Sequence, residues 1–93
     1  MVEVNEYFEG NVKSFVINST EGKKTIGVMA PGEYEFDTNT QETMTVIEGS
    51  IAVYYPEDDD WEEFDKGAAF DVPANSKLKV KVEQDTAYLC EYE

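Results

Sequence analysis

The stretch Lys77-Leu78-Lys79-Val80-Lys81-Val82 alternates cation and aliphatic side chains without a break. Successive side chains of an extended chain point to opposite faces, so Leu78, Val80 and Val82 share one face and the three lysines share the other. A helix would scatter both sets around its axis, whereas a strand with one buried and one wet face keeps them apart. The same period of two recurs upstream, where Tyr34, Phe36 and Thr38 fall on one face and Glu33, Glu35 and Asp37 on the other. It recurs again at Glu42, Met44 and Val46, which makes Glu42 the one acid continuing a row of core residues.

Read the same way, the chain yields strands at about Asn11 to Ile17, Lys24 to Met29, Gly32 to Asp37, Thr43 to Glu48, Ser50 to Tyr55, Trp61 to Asp65, Ala69 to Val72, Lys77 to Val82 and Thr86 to Tyr92. Between them lie segments rich in Gly, Pro, Asn, Asp or Ser, such as Pro31-Gly32, Glu48-Gly49 and Pro73 to Ser76. Helical periodicity is absent. Short strands at regular spacing over 93 residues predict one all-β domain, residues 1–93, built as a sandwich or barrel.

The charge narrows the function. Twenty-one acids against seven lysines give a net charge of −14, which repels phosphate backbones and anionic lipid, so nucleic-acid and membrane partners are not expected. No apolar run reaches the ~18 residues of a transmembrane helix, and the first residues lack the pattern of a signal peptide, so a cytoplasmic location is expected. The acidic run Glu57 to Asp60 lacks the spacing of a calcium loop and reads as a solvated turn. There is no histidine and one cysteine, Cys90, so neither the usual transition-metal ligand sets nor His-assisted nucleophiles can be assembled. Cys90 itself reads as a small buried side chain. There is no arginine either, so an anion must be held by lysine, hydroxyls or backbone amides.

Two spacings resemble those of the cupins. Gly67 to Pro73 has the G-x5-P spacing that opens the second cupin motif, and Glu42 to Gly49 has the E-x6-G spacing that closes the first. On that resemblance the fold is a cupin-type jelly-roll β-barrel. Phe36, Thr38 and Leu78 stand where histidine ligands would stand, leaving only Glu42 of four and implying no metal. A fuller resemblance covers nearly the whole chain, through Asn5-Glu6-Tyr7-Phe8, Val12-Lys13-Ser14, Gly27-Val28-Met29, Gly32-Glu33-Tyr34 with Phe36, Glu42-x-Met44-Thr45-Val46, Trp61, Phe70-x-Val72-Pro73 and Tyr88-Leu89-Cys90-x-Tyr92. With these the chain resembles the small single-domain cupins known as pyrimidine/purine nucleoside phosphorylases. The resemblance implies phosphate-dependent cleavage of ribonucleosides to free base and ribose 1-phosphate, by a cytoplasmic homodimer with nucleoside and inorganic phosphate as partners and no cofactor.

That chemistry needs a phosphate next to the anomeric carbon, stabilisation of an oxocarbenium-like transition state, and departure of the base. Lysine beside hydroxyl is the group mix for phosphate, and it occurs at Lys13-Ser14 and at Lys23-Lys24-Thr25, although each lysine also reads as an ordinary surface cation. The row Tyr34, Phe36, Thr38, Glu42 offers an aromatic wall, a hydroxyl and a carboxylate. Glu42 is the catalytic candidate, suited to binding ribose hydroxyls or opposing positive charge on the sugar; the alternative is a relic of the metal motif bonded to backbone. Phe36, Phe70 and Tyr88 are candidates for stacking a base, which would explain base tolerance because every base has a π-face, or are plain core. Tyr7-Phe8 and Tyr88 to Tyr92 are the expected dimer contacts. A sensor that binds a sugar or nucleoside without turnover is the competing function.

Overall fold

The computed structural model describes residues 1–93 as ten strands and one short 3₁₀ turn. The strands are β1 (Val4–Tyr7), β2 (Val12–Ser19), β3 (Gly22–Met29), β4 (Gly32–Asp37), β5 (Glu42–Glu48), β6 (Ser50–Tyr55), β7 (Asp60–Asp65), β8 (Ala69–Val72), β9 (Lys77–Val82) and β10 (Thr86–Tyr92), with the turn at Phe8–Gly10. All nine expected strands are present. The tenth, β1, carries no alternation of its own and forms by pairing with β2, Val4 opposite Phe15 and Tyr7 opposite Val12. No helix is long and apolar enough to cross a membrane.

All the pairings are antiparallel and make two sheets, ordered β1-β2-β3-β10-β5-β8 and β4-β9-β6-β7. The expectation of a closed barrel is therefore corrected: the sheets pack face to face, and no ladder joins an edge of one to an edge of the other. A buried face every second residue is satisfied by stacking two sheets as well as by closing one, so periodicity does not separate the two. The turn from β7 into β8, which carries the chain from the smaller sheet to the larger, is tied to β5, with Gly67 N–H donating to Val46 O at 2.8 Å and Val46 N–H to Ala68 O at 2.9 Å.

The inward faces are those the alternation gives. Leu78, Val80 and Val82 are buried on β9, Met44 and Val46 on β5, Ile51 and Val53 on β6, and Val12 and Met29 on the larger sheet. Buried polar groups are bonded: Thr86, fully buried, donates to Gln84 O at 2.9 Å. At Gly49, which turns β5 into β6 with φ +87°, a side chain would meet Thr86 and strain a left-handed backbone. The acidic turn Glu57 to Asp60 is exposed, as expected.

Candidate functional site

The strands at one end of the sandwich leave a cavity of about 470 Å³, within the range of about 300 to 1,000 Å³ usual for small-molecule sites. Its floor comes from the larger sheet: Ser14 on β2, Met29 on β3, Glu42 and Met44 on β5, and Tyr88, Cys90 and Tyr92 on β10. Phe36 and Leu78 face them from the smaller sheet, and Glu35, Asp37, Asn39 and Thr40 complete the lining from β4 and the corner after it. Tyr7 and Phe8 cover the cavity from the N-terminal segment.

That cover is set by backbone geometry. Phe8, Glu9 and Gly10 have φ of 53°, 59° and 88°, a left-handed run that only the glycine adopts freely. It brings the Phe8 ring to 5.0 Å from Tyr34 and edge-on to Phe36 at 5.5 Å, with Tyr7 edge-on to Phe36 at 6.2 Å. Tyr7 and Phe8, expected from the sequence as a dimer contact, thus border the cavity and also stay exposed on its outer side. Within Tyr88 to Tyr92, the other segment so expected, Tyr88 is buried and it, Cys90 and Tyr92 line the cavity.

The floor is ordered by close packing and by hydrogen bonds. Tyr88 pairs with Gly27 across β10 and β3, and its phenol ring occupies the space a Cβ at Gly27 would need. Tyr92 pairs with Glu42, and Cys90 pairs with Met44 on one side and Thr25 on the other. Cys90 Sγ donates to Glu42 Oε1 at 3.2 Å, and the Thr25 and Tyr92 hydroxyls are 3.1 Å apart. Glu42 bonds to this thiol rather than to backbone, so the picture of a relic carboxylate tied to main chain does not hold.

Burial sets the protonation states. It raises the Glu42 carboxyl above the usual carboxylate range, while the Cys90 thiol and the charge of Lys23 act in the opposite sense. Burial pushes the Tyr88 phenol and the Cys90 thiol each up to about 12, and raises Tyr92 as well. At neutral pH, then, the floor presents one half-buried carboxyl group among neutral hydroxyls and a neutral thiol. Such an arrangement has the chemistry to accept hydrogen bonds from hydroxyl groups and, where the carboxyl is ionised, to oppose positive charge beside it. A cupin-type metal does not fit these residues, because no three of His, Cys, Asp and Glu converge anywhere in the molecule.

Of the candidates read from the sequence, Glu42, Ser14, Phe36 and Tyr88 come together in this cavity. Thr25 lies beneath it, bonded to Tyr92. Three others are used for structure. Tyr34 donates to Ala30 O at 2.6 Å, Thr38 donates to Pro73 O at 2.7 Å, and Phe70 packs on Phe64 with ring centroids 4.6 Å apart. Lys13 and Lys24 lie on the outer face of the larger sheet, since Ser14 and Thr25 beside them point inward. Lys13 pairs with Glu6, and Lys24 with Glu21 and Glu91, all within 3.4 Å. The sequence reading missed Cys90 and Tyr92 as site residues, although parity with Tyr88 places them on its face. Tyr7 and Phe8 belong to a stretch that carries the family resemblance, yet the sequence reading assigned them no place in the site.

Two facing antiparallel sheets around a cavity of small-molecule size, with no histidine and one carboxylate in the cupin-motif position, define a cupin-like fold that lacks the usual ligand set. Comparison with known proteins carries this further. The family model described as pyrimidine/purine nucleoside phosphorylase matches residues 2–92. A Pseudomonas fluorescens protein named pyrimidine/purine nucleoside phosphorylase is 58% identical over 92 residues, covering 99% of this chain and 98% of its own. A solved structure of a Vibrio parahaemolyticus protein of unknown function superimposes with a TM-score of 0.95 at 42% identity, over 100% of this chain and 99% of that one. At the level of fold alone, the iron(II) form of HppE superimposes with a TM-score of 0.80 at 9% identity, over 99% of this chain and 56% of that one. The chain belongs to the pyrimidine/purine nucleoside phosphorylase family.

Proposed function

We propose that this chain cleaves purine and pyrimidine ribonucleosides by phosphorolysis, releasing free base and ribose 1-phosphate, as a pentosyltransferase that uses inorganic phosphate and no metal. The observation that carries the reading is family membership over residues 2–92. The cavity is compatible with it, having the size for a nucleoside, aromatic rings at Tyr7, Phe8, Phe36 and Tyr88, and one carboxyl on its floor. In the reaction a phosphate oxygen bonds to C1′ as the C1′–N bond breaks, and the proton of hydrogen phosphate ends on the base. Glu42 opposes the positive charge that forms on the sugar between these events. Ring stacking holds either class of base by its π-face, so no fixed donor pattern is needed. The working form is a cytoplasmic homodimer.

A second reading, a sensor that binds a nucleoside or sugar without turnover, is favoured by one observation: Glu35, Asp37 and Glu42 line the cavity and no lysine does. Release of base from uridine and inosine, with and without phosphate, separates the two. Release that requires phosphate supports phosphorolysis. Equal release without phosphate makes the protein a hydrolase, and nucleoside binding without release makes it a sensor.

A further inference from the structure

A metal-free phosphorolytic site in a chain of net charge −14 must find a cation for its phosphate, and with no arginine or histidine the side chains offer seven lysines. Four are engaged by carboxylates: Lys13 with Glu6, Lys24 with Glu21 and Glu91, Lys66 with Glu48, and Lys77 with Glu35 and Asp37. Lys79 and Lys81 lie over the Trp61 ring at 5.7 and 4.6 Å, on the outward face of the smaller sheet. Lys23 remains. It has no carboxylate partner, and it shares the inward parity of Thr25 and Gly27 on β3.

Lys23 does not itself line the cavity, but it stands beside a residue that does. The Lys23 ammonium lies 5.1 Å from the centre of the Tyr92 ring, and Tyr92 lines the cavity. The β3–β10 register pairs Lys24 with Glu91, so one step further sets Lys23 level with Tyr92, whose partner on β5 is Glu42. Lys23, Tyr92 and Glu42 thus form one row across three neighbouring strands. Two strand spacings, roughly 10 Å, separate the ends of that row, with the Tyr92 side chain standing between cation and carboxylate. The charge of Lys23 is felt at Glu42, although the two groups do not touch.

We propose that Lys23 holds the phosphate co-substrate at the Tyr92 edge of the cavity, on the other side of Tyr92 from Glu42. The assignment rests on the phosphorolysis reading for its role in turnover, but not for anion binding itself. It also keeps the dianion apart from the half-buried Glu42, since Lys23 holds it beyond the Tyr92 ring. Lys24, its neighbour in sequence, faces the other way and is taken by Glu21 and Glu91.

The test compares wild type, Lys23→Met, Lys23→Arg, Lys13→Met and Lys24→Met. Inorganic phosphate is titrated against each by phosphorus NMR without nucleoside, and uridine cleavage is followed at varied phosphate and at varied uridine. In Lys23→Met, phosphate affinity should fall, and the KM for phosphate rise, by about ten- to a hundredfold, the worth of one charge-assisted hydrogen bond. The KM for uridine and the melting temperature should stay near wild type, and Lys23→Arg should recover part of the loss. Unchanged phosphate binding in Lys23→Met, an equal rise in both KM values, a loss found instead in Lys13→Met or Lys24→Met, or a wild type that binds no phosphate, each overturns the assignment. A wild type that binds phosphate through Lys23 yet releases base equally without it sinks phosphorolysis and leaves the anion site standing.

Discussion

The hydroxyl end of the Tyr88 ring lies in the space a side chain at Gly27, its register partner on the neighbouring strand, would fill, so the floor of the cavity takes this form because one position in the middle of β3 has no side chain. Glycine in a strand interior is otherwise unfavourable, and here it makes room for a ring. Gly27→Ala should cost about 1 to 3 kcal/mol, the range for overpacking a close-packed site, and should displace the ring into the cavity. Chemical denaturation measures the first effect and loss of nucleoside affinity the second. A variant as stable and as competent as wild type would show that the ring is free to move aside.

Glu42 carries a stability consequence of opposite sign to its function. Burial raises its pKa in the folded state, so between the unfolded and folded values the native protein binds more protons, and stability falls as pH rises through that window. Glu42→Gln should therefore melt a few degrees higher than wild type at neutral pH, and the difference should shrink as the pH is lowered past the raised pKa. Base release should fall sharply in the same variant, because the neutral amide cannot oppose sugar charge. Melting curves across pH 4 to 8, about the span in which such carboxyls titrate, check the first point.

Cys90 is buried, and its thiol is pushed up to about 12, so it stays protonated at any ordinary working pH. In the native state it should react with a thiol reagent at pH 8 only as fast as the protein opens, and one equivalent per chain should react in denaturant. Rapid labelling of native protein would contradict this placement. Cys90→Ala removes the donor to Glu42 and should raise the pKa of Glu42 further, whereas Cys90→Ser keeps a donor.

The proposed dimer has a surface to use. On the outer face of the larger sheet, Val4 pairs with Phe15, Phe15 with Ile26, and Ile26 with Leu89, an apolar row across four strands. Val4, Phe15 and Ile26 are exposed, with Val28 and Ile47 beside them. A contiguous apolar face of this kind is what an isologous interface covers. Phe15→Glu should leave a folded monomer by light scattering, while wild type is a dimer at micromolar concentration. A wild-type monomer removes the dimer from the account.

With 21 acids and few ion pairs to offset them, self-repulsion should be appreciable. Raising salt from about 10 to about 150 mM shortens the screening length from about 30 to about 8 Å, so the melting temperature should rise. A flat or falling trend would mean that the charges are already compensated.

What the sequence determined by itself is nine of the ten strands, the face their side chains take, and the family, because period-two alternation and short spacings are local properties of the chain. Parity was enough to turn Glu42 and Tyr88 inward, and applied one residue further it separates Lys23 from Lys24. Only the tertiary structure decided that the sheets stack rather than close, and which inward residues face empty space. Tyr34, Thr38 and Phe70 share the inward parity of Phe36, yet they are consumed by Ala30 O, Pro73 O and Phe64. The left-handed run at Phe8 to Gly10 folds two rings over the site from a segment with no pattern to announce it. A cavity is the part of the interior that packing leaves unfilled, and that depends on which distant strands meet, which no local period encodes.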